Sequence, residues 1–550
     1  FLSKDFIAAT RSGPCPRAAN RPHSHAIVST EPAMTTAADT LPHHSKTASA
    51  GARRLANVAA LAAVAILFLA KASPQNTLDL DLFHQMALVR AAVQAGSMPI
   101  QDVFAYTSVP GPSVHYEWGN GAVAYVVTSA FGTPGLLVLK YSLTALTAAL
   151  AIYVARQRKA TWAVICALSP GAALLMSMGF TTIRAGLFTL FFCALVLALL
   201  EGDRRGKRTW ILPWFVVYVA WLNIHPGFIV GAGLMGLYWL ERVIRYQQPQ
   251  WHLIGAGIAM LLLMLVNPYG RLYPVALWHA LTQTLPPIPE WLPIWRCKDW
   301  PCVAIYFLTV ALAISAILRA GWRRCEGVLM LAVCTVAAFQ HIRHLYLYAL
   351  VWFCYVPGWL TLSPMGQAIT RVWERRPRIV AASCVFISLV FVPTILSAKP
   401  WALHMPVALD DPDNVRENLL YPGNAVEYLK RVQFHGNVMT HYNDGSYVMW
   451  HLWPSVKIGL DSRNDVGYSY AFIMEVLNFY RGSPGWHDTL TRYPTDLVLV
   501  KRSFPLAKLM ASGTDWHRVY RDDSYELWAR PGLQLPEEDR TGQPLTATFP

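Results

Sequence analysis

The chain has 550 residues, of which 54% are hydrophobic and only 14% charged. A soluble domain carries roughly 25% charged residues, so this composition excludes a soluble globular enzyme and indicates a polytopic membrane protein. The net charge of +14 would suggest nucleic acid in a soluble protein. In a membrane protein it is first a topology signal, and no nucleic-acid partner is expected.

The sequence opens on Phe1, and Met34 is the expected start. Residues 1–50 are polar, rich in Ala, Ser, Thr, Pro and His, and without periodicity, so they are expected to be disordered or untranslated. Crossing ~30 Å of hydrocarbon takes roughly 17–25 apolar residues. Candidate spans fall at 55–71, 134–155, 161–178, 185–200, 210–222, 227–241, 251–266, 301–318, 327–340, 345–362 and 379–397. That gives about 11 spans, with "WLNIHPG" read as a turn at residues 223–227. The Lys and Arg residues between spans concentrate on one side, while the short turns of the other side hold only Arg184 and Arg343. This bias predicts an inside N-terminus and an outside C-terminus. The outer face then carries the loops 72–133 and 267–300 and a tail over 398–550. In a bacterium that face is the periplasm and the membrane is the inner, cytoplasmic one. Five cysteines (Cys166, Cys193, Cys334, Cys354, Cys384) lie in apolar runs and read as core residues. Cys297 and Cys302 in "RCKDWPC" are candidates for a small disulfide.

The first outer loop opens on "NTLDLDLFHQ", with Asp79 and Asp81 two residues apart. Residues 81–95 fit a helix lying on the membrane, with Leu82, Phe83, Met86, Val89 and Val93 near one side and Gly96 and Pro99 ending it. Asp81 is then either the N-cap or a functional carboxylate. His84, three residues on, would share its face, and Asp79, Asp81 and His84 form a candidate set for a divalent metal. Further along, "QDVFAYTSVPGPSVHYEWGNG" gathers Asp102, Tyr106, Thr107, His115, Glu117 and Trp118, suited either to sugar binding or to an interface connector. The same end of the bundle collects His225 in "NIHPG", Arg271 in "NPYGRLYP", Glu290 in "IPEWLPIW", and His341, Arg343 and His344 in "QHIRH". Arg184 and Arg343 suit an anion, since guanidinium matches phosphate geometry. Lys140, inside its span, is expected to snorkel outward or to join them.

The tail is different material. Short strands and turns ("GNVMTHYNDGSYVMWHLWP", "VKIGLDSRND", "TDLVLVKRS", "WHRVYRDDSYELWAR") alternate with helical stretches at 424–434, 444–453, 466–480, 484–492 and 504–511. That alternation predicts a small α/β domain.

One span followed by a long outer loop that opens on acidic residues and a helix resembles membrane glycosyltransferases of the GT-C fold. Those include protein O-mannosyltransferases, lipid A aminoarabinose transferases and oligosaccharyltransferases. The order of "LDLDLFHQMALVRAAVQAGSMPIQDVFAYTS", "HYEWG", "WLNIHPGFIVG", "NPYGRLYP", "PEWLPI" and "NDGSYVMWHLWPSVKIGLDSRND" is similar to that of large bacterial GT-C-like proteins. The resemblance implies a polyprenyl-phosphate sugar donor, a glycan or lipid acceptor in the envelope, and inverting transfer. It implies Asp81, or else Asp79, as general base, and Arg343 or Arg184 at the departing phosphate. Glu117, His84, His225 and Glu290 join the implied substrate-binding set. Two other readings stay open: a lipid or sugar transporter, which would show mid-span charges and internal repeats, and a non-catalytic scaffold.

Overall fold

The computed structural model describes residues 49–107, 109, 111–247, 249–282, 289–405, 421–513 and 515–550. The expected start at Met34 and most of the 1–50 segment lie outside them.

Among the described residues fourteen α-helices precede the tail: α1 (Ala50–Ala72), α2 (Leu80–Ala95), α3 (Trp118–Gln157), α4 (Trp162–Ser177), α5 (Gly186–Arg204), α6 (Ile211–Ile224), α7 (Phe228–Tyr246), α8 (Trp251–Leu263), α9 (Leu272–Thr282), α10 (Trp300–Ala320), α11 (Val328–Gln340), α12 (Leu345–Thr361), α13 (Pro364–Arg375) and α14 (Pro377–Ala398). Each of the eleven expected spans falls on one of them. By length and composition alone α1, α3, α5, α10 and α14 can each cross a membrane, and α12 with α13 forms a pair bent by 85°. Residues 223–227 separate α6 from α7, as the "NIHPG" turn predicts. The loop expected at 267–300 is not plain coil, because it carries α9.

α12 is the axis of the bundle. It is apolar on all sides, and nearly every residue from 345 to 360 is buried, as expected of a helix with no lipid-facing stripe. It packs against α3, α4, α10 and α11, while α1 runs along α14 and α4. α3 breaks at Gly132, whose φ of 62° and ψ of −159° are non-helical, just before Pro134.

The tail forms α15 (Gly423–Arg431), β1 (Gly436–Met439), α16 (Gly445–Leu452), β2 (Val456–Ile458), α17 (Asn464–Gly467), α18 (Tyr470–Tyr480), α19 (His487–Arg492), β3 (Leu497–Lys501), α20 (Pro505–Gly513), β4 (His517–Arg521), β5 (Tyr525–Ala529) and β6 (Glu538–Asp539). The sheet order is β2-β1-β3-β5-β4-β6. β1 is parallel to β2 and β3, and β5 is antiparallel to β3 and β4. The predicted α/β domain is therefore present.

Two expectations about the first loop need correction. α2 does not lie free on a membrane surface. His84, Gln85, Met86, Ala87 and Leu88 are all buried, because α16 covers the side that α3 leaves open. Arg90 stacks 4.5 Å over Trp450 and donates to its carbonyl at 2.7 Å. The "QDVFAYT" stretch also docks on the α/β domain, since residues 104–106 bridge to Ile458 and extend the sheet beyond β2. Outside the first loop, the small disulfide expected between Cys297 and Cys302 is not formed, and both are free thiols. Cys302 is buried in the first turn of α10, behind the Asp299 cap and against Met178.

Candidate active site

The site is built on one parallel bridge between two loops. Leu78 pairs with Ile183. Asp79 N–H donates to Ile183 O at 3.1 Å, and Ile183 N–H donates to Thr77 O at 2.9 Å. The next residues on each strand are Asp79 and Arg184, so their side chains meet, with Nε 3.4 Å from Oδ2. Arg184 Nη1 also reaches Glu290 Oε1 at 3.0 Å.

Asp79, not Asp81, is the N-cap of α2. Its Oδ1 accepts from the Asp81 N–H at 3.2 Å. Both Asp79 oxygens are thus engaged, and Asp81 is released from the capping role that its sequence position suggests. Asp81 stands in the first helical turn, its Oδ1 3.8 Å from His84 Nδ1. Burial in the cleft, followed by the neighbouring Asp79 and Glu117 carboxylates, pushes the Asp81 carboxyl well above the ordinary range. Its side chain is 42% exposed, so water in the cleft offsets part of that push. Burial, reinforced by Arg463, holds the His84 imidazole well below its usual range.

Behind Asp81 the "HYEWGNG" and "NIHPG" motifs interlock. Glu117, immediately before α3, takes a hydrogen bond from Gln85 on one oxygen and faces His225 Nε2 at 3.3 Å with the other. The Gly227 N–H donates to His225 Nδ1 at 2.9 Å, which leaves the ring proton on Nε2, pointing at Glu117. Thr189 Oγ1 lies 2.7 Å from the same Nδ1 and accepts from Trp221 Nε1 at 3.1 Å. Gly227 is required here, because a Cβ would lie 2.2 Å from Thr189 Oγ1. A Cβ on Gly121 would lie 2.3 Å from Gln85 O, so that glycine lets α2 and α3 touch. Trp118 Nε1 completes the seam with a bond to Asn223 Oδ1 at 2.9 Å. Burial first, then Asp79, raises the Glu117 pKa to about 7 against the opposing pull of Arg184. Burial, with Arg184 and Arg343, lowers His225 to about 3, so its ring is neutral.

Of the residues expected at the site, Asp79, Asp81, Glu117, Arg184 and His225 line one small polar pocket with Gln85 and Asn120. Glu290 joins through Arg184, and His84 flanks Asp81. Arg343 stacks 4.4 Å over Trp291, on a segment held by Ile342 N–H donating to Leu292 O at 2.9 Å. It acts electrostatically on Glu117 and His225, and among the described residues it forms no carboxylate pair. Asp102, Tyr106 and Thr107, a candidate sugar platform in the sequence, instead bind the α/β domain, through Arg463, Thr495 and the Gly459 carbonyl.

The "DSRND" motif just past β2 contributes what sequence reasoning missed. The Ser462 hydroxyl reaches both Asp81 and His84. Arg463 is fully buried and joins Asp461, Asp102 and Tyr468. The available signal was positional: a polar motif at the carboxyl end of a parallel strand is where α/β sheets place ligand contacts.

Asp79, Asp81 and His84 do not assemble into a metal centre. Asp79 is spent on Arg184 and the helix cap, and Ser462 stands at His84 Nδ1. Among the described residues no group of three or more His, Cys, Asp or Glu side chains is gathered for a metal ion.

An apolar groove of about 460 Å³ opens between α6, α7, α8 and α9. Phe228, Met235, Trp239, Leu253, Met260 and Leu277 are among its walls. Phe228, on the wall of the groove, stands three residues after His225, which lines the polar pocket.

The bundle, its acidic first loop and the α/β cap together define a membrane protein of the GT-C fold. No family model matches the sequence, and none of the curated proteins matches it. Similarity is to solved structures. The apo crystal structure of the oligosaccharyltransferase of Archaeoglobus fulgidus superposes with a TM-score of 0.54 at 10% identity, over 88% of this chain and 75% of that one. The archaeal oligosaccharyltransferase AglB from the same organism, in complex with an inhibitory peptide and a dolichol-phosphate, gives 0.51 at 11% identity, over 82% and 69%.

Proposed function

We propose that this protein transfers a glycosyl group, with inversion, from a polyprenyl-phosphate sugar to a glycan or lipid acceptor of the bacterial envelope. In this reading it crosses the inner membrane eleven times from a cytoplasmic N-terminus. Residues 51–397 form the membrane domain, and residues 398–550 form the periplasmic domain. The observation that carries the reading is Asp81. It is a carboxylate freed from capping by Asp79, held at high proton affinity in the cleft between bundle and α/β domain, with two guanidinium groups acting on the same pocket.

The chemistry follows from the groups present. Asp81 takes the proton of the acceptor hydroxyl as the acceptor oxygen bonds to the anomeric carbon. The bond from that carbon to the phosphate oxygen breaks on the opposite face, and the phosphate leaves as an anion. Arg343 meets that charge first, because Arg184 is already divided between Asp79 and Glu290. Glu117, Gln85 and the neutral His225 offer acceptors and donors to sugar hydroxyls. The groove beside Phe228 suits a branched hydrocarbon chain, and the dolichol-phosphate bound by the archaeal neighbour supports a lipid-linked donor.

The test is mass spectrometry of envelope glycans and glycolipids from a deletion strain carrying wild type, Asp81→Asn or Asp79→Asn. A sugar addition that vanishes on deletion and returns with wild type but not with Asp81→Asn is expected. Full complementation by both variants would replace this reading with transport or a scaffold role.

A further inference from the structure

We infer that Lys140 is a positioning residue for the site: its buried ammonium clamps together the two loops that carry Asp79 and Arg184. The geometry stands by itself, and only the activity readout rests on the glycosyl-transfer reading. Lys140 lies in α3 beyond the Gly132 break and is wholly buried. It neither snorkels outward nor joins the guanidinium groups, as its sequence position suggests it would. Its ammonium donates to the Asn76 side-chain oxygen and, at 2.6 Å, to the Thr181 carbonyl. Among the described residues it forms no ion pair. A cation buried in a membrane helix without a carboxylate is costly and leans toward function. A methionine would fill the same space at far lower cost, so what the lysine supplies is its N–H donors.

The placement of those donors is specific. Asn76 is three residues before Asp79, and Thr181 is three residues before Arg184. The Leu78–Ile183 bridge lies between them. Lys140 therefore closes one end of a two-strand ladder, and the Asp79–Arg184 ion pair closes the other. Asn76 is itself buried, and its amide donates to Tyr141 Oη at 2.9 Å and to the Pro400 carbonyl at 3.0 Å. Tyr141 Oη donates to the same carbonyl at 2.8 Å. Two adjacent residues of α3 thus fix Asn76 against the chain that follows α14. If the clamp goes, the register of both loops is free to slip, and Arg184 leaves the cleft. Arg184 lowers the proton affinity of both Asp81 and Glu117, so its withdrawal raises the pH needed to ionise the base.

The experiment uses membranes of the deletion strain carrying each variant, with their own donor and acceptor, and follows across pH the sugar addition that wild type restores. In Lys140→Met the acid limb of the pH profile should move up by about one pH unit, and Lys140→Arg should restore the wild-type limb. Lys140→Gln, which keeps N–H donors without charge, should fall between them. A Lys140→Met protein that keeps the wild-type pH profile, with activity lost only in proportion to protein, overturns the inference. So does failure of Lys140→Gln to assemble in the membrane, since the lysine would then hold the fold and not the site. If wild type itself restores no sugar addition, the transferase reading fails, and the clamp is read by cross-linking Thr77→Cys to Thr182→Cys. Cross-linking should fall several-fold in Lys140→Met, and an unchanged yield overturns the clamp.

Discussion

Both ends of the helical bundle are crowded with ionisable groups, yet they are built on opposite principles. At the end away from the α/β domain, among the described residues, every carboxylate is answered by a cation. Glu201 meets Arg158 at 3.0 Å and Arg204 at 2.6 Å, and Glu326 meets Arg158 at 3.4 Å. Asp203 binds Arg208, His252 and the Tyr238 hydroxyl. Glu241 binds Arg245 and the backbone N–H groups of Gly327 and Leu329. That end is a closed staple across α3, α5, α7 and α11. At the other end Asp79, Asp81 and Glu117 crowd one another, and the arginines are either shared or stacked on an aromatic ring. Charge density alone does not mark a site. The mismatch between charge and partner does, because it leaves groups whose protonation can change during a reaction.

Substitution should separate the two ends. The largest effect is expected from Asp81→Asn, which keeps shape and removes the proposed base. The rate of sugar addition should fall by about 10²- to 10⁴-fold with little change in melting temperature. Asp79→Asn should lose only about tenfold, since Asn caps a helix as well as Asp does. At the closed end Glu201→Ala should do the reverse. It leaves Arg158 and Arg204 with Glu326 as their one remaining carboxylate and should destabilise the protein by about 2 kcal/mol. Thermal unfolding in detergent would detect it, while the pH profile of the surviving protein should match wild type. A shifted profile in Glu201→Ala would break the distinction between the ends.

Much of this was legible in the sequence, for identifiable reasons. The apolar runs and the strand-helix alternation of the tail rest on local patterning, and each produced elements near their expected positions. Asp79, Asp81, Glu117, Arg184 and His225 were identifiable because polar residues at span ends are few. Partnership was not legible. Two aspartates two residues apart look interchangeable, and only the structure, with its Leu78–Ile183 bridge, shows that Asp79 caps the helix and Asp81 does not. Ser462, nearly 400 residues from Asp81, reaches it because the first loop extends the sheet beside β2. The same docking turned Asp102 and Tyr106 from a candidate sugar platform into a latch.

A smaller effect should come from Arg343. It rests on Trp291 and acts on Glu117 and His225 without a carboxylate of its own. Arg343→Ala should raise the KM for the lipid-linked donor about ten- to hundredfold, the worth of a hydrogen bond to a charged group. Arg343→Lys should recover part of this, keeping the charge but losing the planar stack. Equal losses in both variants would mean that stacking on Trp291, not phosphate, is what the site needs.

The smallest expected effect is a slope. Glu117 holds its proton to a pKa of about 7 in the folded protein, against 4.5 in the unfolded chain. Between those values the folded state binds more protons than the unfolded state, so this stabilising term is complete below pH 4.5 and is lost as pH rises through 7. Asp81 contributes with the same sign. The melting temperature of wild type should therefore fall between pH 5 and pH 8 by something on the order of a degree or two. Glu117→Gln should flatten most of that fall, and Asp81→Asn should remove a further part. Glu201→Ala should lower the whole curve and leave its slope intact, because Glu201 pairs with Arg158 and Arg204 and touches neither Glu117 nor Asp81. A slope that disappears in Glu201→Ala and persists in Glu117→Gln would mean that the strained carboxylates lie at the stapled end, and the two ends would have to exchange roles.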